Sequence, residues 1–282
     1  MNKIYIYHHL GLGDFISCNG IVRSIVKENK KSSIFVFCKK DQLKIVKFMY
    51  RDENKIKLIP IKTKNNTEKE FSYKIEKHIK RVSKKSKIIK IGFSNFNDIY
   101  NKFYSYRNPI TYDMVFYKQL KIPYKKRFSE CYWKRDKRAE DRVFKKLIKD
   151  KDKMYAFVHD DESLGYKIND NFVTSGLKII RNDKNENIFN MAKVIENADE
   201  LHFMESSLRN MAETLNIKSK KIYLYIWRRR KIAPIYSPKL KKVVGVKKKW
   251  KIVFTNPQKK NFKFYIMNNI IKLRFFVLGL IS

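Results

Sequence analysis

Cysteine is scarce in this 282-residue chain, and long apolar runs are missing altogether. The three cysteines, Cys18, Cys38 and Cys131, are odd in number, far apart and in no Cys-x-x-Cys pair. They therefore indicate neither a disulfide framework nor a thiolate zinc site. No stretch reaches the ~20 apolar residues of a membrane span, and the start of the chain lacks the apolar core of a secretory signal. We expect a cytoplasmic protein, either soluble or attached to the surface of a membrane.

Acidic residues are also few, with 27 Asp and Glu against 65 Lys and Arg, which leaves a net charge of +38. Such a charge suits an anionic partner, whether a nucleotide, a phospholipid surface or a nucleic acid. However, 51 of the basic residues are Lys and only 6 residues are Ala, a bias typical of coding sequences poor in G and C. The two explanations are compatible. No RRM, helix-turn-helix or zinc-finger signature is present, so a non-catalytic nucleic-acid-binding module is the alternative rather than our main hypothesis.

The apolar pattern predicts an α/β protein of two Rossmann-like lobes. Hydrophobic residues make up 43% of the chain, which is enough to form a core. Short apolar strands alternate with amphipathic helices in two series, as in doubly wound parallel sheets. We assign residues 1–130 to an N-terminal lobe and residues 131–282 to a C-terminal lobe with a basic and apolar tail. The strands are predicted at residues 3–8, 33–38, 57–61, 87–93, 154–159, 177–181, 201–204 and 222–227.

Two regions depart from this alternation. Residues 95–128 are rich in aromatic residues and are interrupted by Pro109 and Pro123, so we predict irregular structure there. The final segment, residues 264–282, mixes basic and apolar residues. It is predicted either as a closing helix that packs on the first lobe or as a segment lying on an anionic membrane.

The first motif with chemical potential is a glycine turn after the first strand, HHLGLGD at residues 8–14. Gly11 and Gly13 allow positive φ and a close approach of a ligand to backbone N–H groups at a helix start, which favours phosphate or carboxylate. The spacing differs from G-x-G-x-x-G, because Ile16 stands at the position of the third glycine, so a nicotinamide cofactor is disfavoured. Asp14 is a candidate helix N-cap, and its carboxylate also faces any cleft between two lobes.

The second motif, FVHDDES at residues 157–163, leaves the carboxyl end of a buried strand. Ligands of open α/β sheets bind at such ends, so His159, Asp160 and Ser163 are candidate binding residues. Adjacent carboxylates would also suit magnesium or manganese, and a solvated acidic turn is the structural alternative. We predict no metal.

The third motif, HFMESSLRNMAE at residues 202–213, combines a strand, a small polar turn and a helix. Ser206 or Ser207 can cap the helix, and the exposed N–H groups of its first turn suit a diphosphate, with Glu205 close by. Capping alone explains the serines equally well. Polar loops recur at strand ends in both predicted lobes, and these loops would converge on one cleft. This recurrence supports the functional interpretation.

The motifs occur in an order that resembles the GT-B glycosyltransferases, especially small bacterial proteins allied to the heptosyltransferase and fucosyltransferase groups. The resemblance covers residues 1–227. It rests on HHLGLGDFISCNGIVRSI at residues 8–25, FYKQLKIPYKKRF at 116–128, YWKRDKRAEDRVF at 132–144, FVHDDESLGYKI at 157–168 and IENADELHFMESSLRNMAETL at 195–215.

This resemblance implies a metal-independent transfer of a sugar from a nucleotide-sugar donor to a saccharide acceptor, with no separate cofactor. Asp14 would be the general base. Residues 1–130 would then be the acceptor lobe and residues 131–282 the donor lobe. Gly11, Gly13, the loop at residues 159–163 and the turn at residues 205–207 would bind the substrates. Related sequences carry an arginine where this chain has Leu164, and the loss of that guanidinium would remove a bidentate phosphate contact. A degenerate glycosyltransferase without activity is therefore a further alternative.

Overall fold

The computed structural model describes residues 2–8, 11–64, 67–82, 86–92, 110–149, 154–160, 166–227, 236–237, 242–255 and 258–259. These residues form two lobes, and each lobe is built on a parallel sheet with helices packed against it.

The first lobe contains a four-stranded parallel sheet in the order β3-β2-β1-β4. Both faces of its central strand are covered, as is usual for parallel sheets. Ile4 and Ile6 pack into the main core beside the first helix, whereas Tyr5 and Tyr7 face a second cluster that includes Phe71. The strands are β1 (Lys3–His8), β2 (Ser33–Lys39), β3 (Ile56–Ile61) and β4 (Lys87–Ile91), and the helices are α1 (Leu12–Glu28), α2 (Leu43–Met49), α3 (Glu68–Ile79), α4 (Tyr112–Gln119) and α5 (Lys126–Ser129).

The second lobe contains a five-stranded parallel sheet in the order β12-β9-β8-β5-β7. Two short antiparallel pairs, β6 with β13 and β10 with β11, complete the described strands. The strands are β5 (Tyr155–His159), β6 (Tyr166–Lys167), β7 (Lys178–Arg181), β8 (Glu200–Met204), β9 (Lys221–Trp227), β10 (Tyr236–Ser237), β11 (Lys242–Val243), β12 (Lys251–Thr255) and β13 (Gln258–Lys259), and the helices are α6 (Lys137–Leu147), α7 (Ala192–Asn197) and α8 (Ser207–Ala212).

The two lobes share one continuous hydrophobic core. Phe48 in the first lobe stacks on Phe189 in the second at 5.6 Å between ring centroids, and Trp133 lies 4.9 Å from the same ring. Helix α5 packs against α1, whereas α6 packs against α7. The boundary between residues 130 and 131 stays a prediction of the sequence. Among the described residues, no helix is long and apolar enough to cross a membrane.

Three predicted elements need correction. The region expected to be irregular contains α4 and α5, and α4 escaped prediction because its buried residues are consecutive (Val115, Phe116 and Tyr117) rather than spaced along one face. The sequence also predicts a polar helix around residues 68–84, and in the structure this helix, α3, ends earlier, at Ile79. Strand β12 was not predicted, yet it pairs with β9 and extends the second sheet. The predicted closing segment, residues 264–282, lies outside the described residues.

Candidate functional site

The candidate residues of both lobes lie where strand order reverses in their sheets. In the first sheet the chain proceeds from β1 to β2 and β3 on one side and then to β4 on the other. In the second sheet β5 likewise lies between β7 and β8. Open α/β sheets bind ligands at the carboxyl ends of strands at such switch points. The glycine turn follows β1, and the two polar motifs follow β5 and β8.

The glycine turn is the capped start of α1. Gly11 is the N-cap in an extended conformation, with φ −72° and ψ 149°, and its N–H donates to Asp14 Oδ2 at 3.1 Å. Asp14 is thus the third helical residue rather than the N-cap, and its carboxylate caps the N–H of Gly11 as in one half of a capping box. The helix begins earlier than expected because Leu12 and Gly13 already belong to it, so neither Gly11 nor Gly13 supplies the positive φ that we predicted. The half-buried Asp14 carboxylate is also stabilised by the partial positive charge at the start of the helix.

The close approach expected of the glycines occurs at Gly13, and the neighbour is the second lobe. A Cβ atom on Gly13 would stand 3.1 Å from Asn210 Nδ2 and 3.8 Å from the backbone nitrogen of Ser207. Asn210 Nδ2 donates to the Gly13 carbonyl oxygen at 3.1 Å. The starts of α1 and α8 therefore meet directly across the junction between the lobes.

At the end of β5, His159 and Asp160 already have protein partners. His159 Nδ1 lies 2.9 Å from Asn182 Oδ1, and the ring is 6.0 Å from that of Phe203. Asp160 is buried, accepts a hydrogen bond from the N–H of Ile168 at 2.7 Å and forms an ion pair with Arg181. The Asp160 carboxylate thus links the end of β5 to Ile168, just after β6, and to Arg181 at the end of β7. Ser163, the third candidate in this motif, lies outside the described residues.

At the end of β8, the polar turn leads into α8. Ser206 is the N-cap, and its side chain accepts a hydrogen bond from the N–H of Arg209 at 3.3 Å. Ser207 is the first helical residue and is half-buried, as is Glu205. Because His159 pairs with Phe203 in the register of β5 and β8, this turn emerges beside His159. The structure therefore brings the two second-lobe motifs to one edge of the sheet.

A buried polar cluster beneath the junction escaped the sequence analysis. The Arg127 guanidinium is 3% exposed, and its Nε lies 2.6 Å from Asp113 Oδ2. Its Nη2 donates to Asn210 Oδ1 at 2.9 Å and to Ser17 Oγ at 3.3 Å. Burial lowers the pKa of Arg127, but the charges of Asp113 and neighbouring groups outweigh it, so the pKa is raised and the side chain stays cationic. Nothing in the sequence marks Arg127 among 65 basic residues.

The described residues contain no group of three or more His, Cys, Asp or Glu side chains that could hold a metal ion. The cysteines are poor nucleophiles where they stand. Burial raises the pKa of Cys38 to about 12 and that of Cys131 to about 11, and burial and the charge of Asp14 raise the pKa of Cys18. The arrangement instead offers a carboxylate at one helix start, hydroxyl and N–H groups at another, and a histidine beside them.

Comparison with known proteins bears on the fold. No family model and no curated protein sequence matches the chain. The crystal structure of a glycosyl transferase of family 9 from Veillonella parvula is similar, with a TM-score of 0.55 and 11% identity over 95% of this chain and 91% of that one. ADP-heptose LPS heptosyltransferase II from E. coli also matches, with a TM-score of 0.46 and 8% identity over 89% of this chain and 90% of that one. The first likeness confirms the predicted two-lobe, GT-B-like α/β fold.

Proposed function

We propose that this chain is a glycosyltransferase that moves a sugar from a nucleotide-sugar donor to a saccharide acceptor. The observation that carries the proposal is the contact of Gly13 with the start of α8. It brings the switch points of both sheets together, so a ligand bound there touches both lobes. The glycosyltransferase fold of the structural neighbour supports the same class of reaction.

The second lobe binds the donor in this proposal. Glu205, Ser206 and Ser207 offer hydroxyl, carboxylate and N–H groups to the sugar and the diphosphate, and His159 lies beside them. Asp160, whose carboxylate holds Ile168 and Arg181, and Ser163 belong to the same donor-binding set in this proposal. Peripheral membrane contact through residues 264–282 stays a prediction of the sequence.

The first lobe supplies the base. The acceptor hydroxyl attacks the anomeric carbon of the donor sugar and forms the new C–O bond, while the bond to the diphosphate oxygen breaks. Asp14 takes the proton of the hydroxyl. Hydrogen-bond donors of the second lobe stabilise the negative charge on the departing diphosphate without a metal ion.

The first experiment measures thermal unfolding of the purified protein with nucleotides, nucleotide sugars and a short single-stranded oligonucleotide at two salt concentrations. A ligand at 100 times its dissociation constant stabilises the native state by about 2.7 kcal/mol. We expect a selective shift with one nucleotide class, which would also identify the donor. A shift with the oligonucleotide alone, lost at high salt, would instead support nucleic-acid binding.

The second experiment tests the base with the donor thus identified. Asp14→Asn keeps an oxygen that can accept from Gly11, so the helix start survives while the base is lost. We expect turnover to fall by about 10²–10⁴-fold with an unchanged donor-induced shift. Glu28→Gln, which changes an exposed carboxylate at the far end of the same helix, is the matched control. Equal turnover in native protein and Asp14→Asn would exclude Asp14 as the base.

A further inference from the structure

The amide of Asn210 joins the two lobes at the candidate site. Asn210 belongs to α8 of the second lobe, and both hydrogen-bond partners of its side-chain amide belong to the first lobe. Its Nδ2 donates to the Gly13 carbonyl at 3.1 Å, and its Oδ1 accepts from Arg127 Nη2 at 2.9 Å. A carbonyl requires a donor and a guanidinium requires an acceptor, so only one orientation of the amide fits. An aspartate would lack the donor, and a leucine would lack both groups.

The Asn210 amide thus forms a bridge between the lobes, and on the first-lobe side the Arg127 guanidinium is held in place. Arg127 is buried and paired with Asp113 at 2.6 Å. Asp113 accepts in turn from the hydroxyl of Tyr124 at 2.9 Å and from the N–H of Met114 at 3.1 Å. Asn210 therefore rests on a fixed guanidinium rather than on a mobile surface side chain.

The bridge acts on the helical turn that contains Asp14. Asn210 holds the carbonyl of Gly13 just before Asp14, and Arg127 donates to the hydroxyl of Ser17 one turn later. The hydroxyl of Tyr117 donates to the Ser17 carbonyl at 3.0 Å. The backbone on both sides of Asp14 is thus fixed by groups outside α1, and on the Gly13 side the fixing group comes from the second lobe.

We propose that Asn210 is a positioning residue that sets the place of the Asp14 carboxylate relative to the donor-binding turn at residues 205–207. This inference rests on the proposed function. Both the carboxylate and the turn must keep a fixed separation if the acceptor hydroxyl is to reach the donor sugar, and small displacements of reacting groups are costly. The side-chain amide of Asn210, between α8 and α1, fixes that separation.

The test compares Asn210→Asp and Asn210→Leu with the same changes at Asn197. Asn197 is a matched control because its amide is also used twice, donating to the Lys193 carbonyl at 2.8 Å and accepting from Lys218 Nζ at 2.7 Å. Both of those partners belong to the second lobe, so the control loses equivalent hydrogen bonds without affecting the junction.

The readouts are amide hydrogen exchange of residues 13–18 in the full-length protein, and kcat and KM with the donor found by thermal unfolding. We expect both Asn210 variants to speed exchange of these amides by about 10-fold. We also expect kcat to fall by about 100-fold with donor KM changed less than about 3-fold. The Asn197 variants should leave exchange at residues 13–18 and kcat at native values.

Native exchange and native kcat in Asn210→Asp would overturn the proposal, as would equal effects at Asn197. If Asn210→Leu proves too unstable, Asn210→Asp still removes the donor while keeping the acceptor for Arg127. Faster exchange in the Asn210 variants, with no turnover by native protein on any nucleotide sugar, would support the structural link and contradict the proposed function. The two failures are therefore distinguishable.

Discussion

Gly20 in α1 approaches α5 so closely that a Cβ atom on it would stand 2.4 Å from the carbonyl oxygen of Lys126. The same atom would stand 2.7 Å from the hydroxyl oxygen of Tyr117. Because Lys126 contributes backbone rather than a flexible side chain, the conflict cannot be relieved by a rotamer change. The glycine thus allows α5, which contains Arg127, to lie against the helix that begins the site.

We predict that Gly20→Ala destabilises the protein. In an open helix this change stabilises by about 0.5–1 kcal/mol, whereas overpacking costs about 1–3 kcal/mol, so the sign of the effect identifies the contact. Urea unfolding at a single pH measures it. Gly176→Ala is the control for backbone strain, since Gly176 has φ +86° and no neighbouring atom within 4 Å of an added Cβ. Unchanged or increased stability in Gly20→Ala would contradict the packing described.

The sheets could be predicted because burial on both faces leaves continuous apolar runs. Residues 3–8 and 33–39 form β1 and β2 close to the predicted limits, and the strand ends carry the motifs to one edge in each lobe. Strand β12 was harder, since its short apolar run follows a lysine cluster and is half-exposed. Apolar periodicity identifies a helix that buries one face. It failed for α4 because the buried residues of this helix are consecutive and face several neighbours.

The partners of individual side chains lie beyond sequence reasoning at the site. Arg127 and Asn210 are 83 residues apart, and Asp160 and Arg181 are 21 residues apart. Neither pair leaves a local pattern, because the contacts arise only when lobes or strands assemble. The sequence singles out both Gly13 and Ser207, but their direct contact could not be predicted from it.

Glu213 anchors the segment that leads into β12. It is fully buried and accepts hydrogen bonds from the N–H groups of Lys247 and Lys248 at 2.8 Å and 2.9 Å and from Trp250 Nε1 at 2.7 Å. We predict that Glu213→Ala lowers the free energy of unfolding by about 3 kcal/mol or more, because it leaves the buried indole N–H of Trp250 and the partly buried N–H groups of Lys247 and Lys248 without this acceptor. Urea unfolding followed by tryptophan fluorescence measures this loss.

Glu213→Gln is the matched control for that change. The amide keeps one oxygen as an acceptor, so part of the network survives and a smaller loss is expected than for Glu213→Ala. Losses below about 1 kcal/mol in both variants would show that the segment at residues 247–250 is held by other contacts.

Asp160 provides a test of the loop between β5 and β6. Asp160→Asn keeps an acceptor for the N–H of Ile168 but loses the ion pair with Arg181, whereas Asp160→Ala loses both. If the Asp160 carboxylate belongs to the donor site, we expect donor affinity to fall in the order native, Asn and Ala, with about a 10-fold loss for Ala. Calorimetric titration with the identified donor measures the affinities. Equal donor affinity in all three proteins would separate Asp160 from donor binding.

A buried Glu–His–Tyr network at the second sheet predicts acid sensitivity. His202 Nδ1 lies 2.7 Å from the hydroxyl of Tyr225, and His202 Nε2 lies 2.7 Å from Glu200 Oε1. Thr174 Oγ1 donates to Glu200 Oε2 at 2.5 Å. A neutral imidazole with its proton on Nε2 satisfies this arrangement, because it donates to Glu200 and accepts from Tyr225. The network is therefore complete without a charge on His202.

The pKa shifts give the direction of this sensitivity. Burial lowers the pKa of His202 below 6.5, although the hydrogen bond and charge of Glu200 oppose the shift. Burial raises the pKa of Glu200, but hydrogen bonds from Thr174 and His202 outweigh it and hold the pKa below 4.5. In both cases the unfolded chain takes up a proton at a higher pH than the folded protein does. The contribution of this network to the free energy of unfolding is thus present above pH 6.5. It is lost as pH falls, first through His202 and then, below pH 4.5, through Glu200.

We predict that His202→Gln flattens the dependence of unfolding free energy on pH between about pH 7 and pH 5. One proton contributes at most about 1.4 kcal/mol per pH unit, so the native curve should be steeper than the variant curve by no more than that slope. Glu200→Gln should change the curve below pH 4.5 instead, which separates the two groups. Urea unfolding at several pH values measures the curves, with pH 8 as the reference for any loss from altered packing. Parallel curves for native protein and His202→Gln would mean that His202 keeps the same proton in the folded and unfolded states.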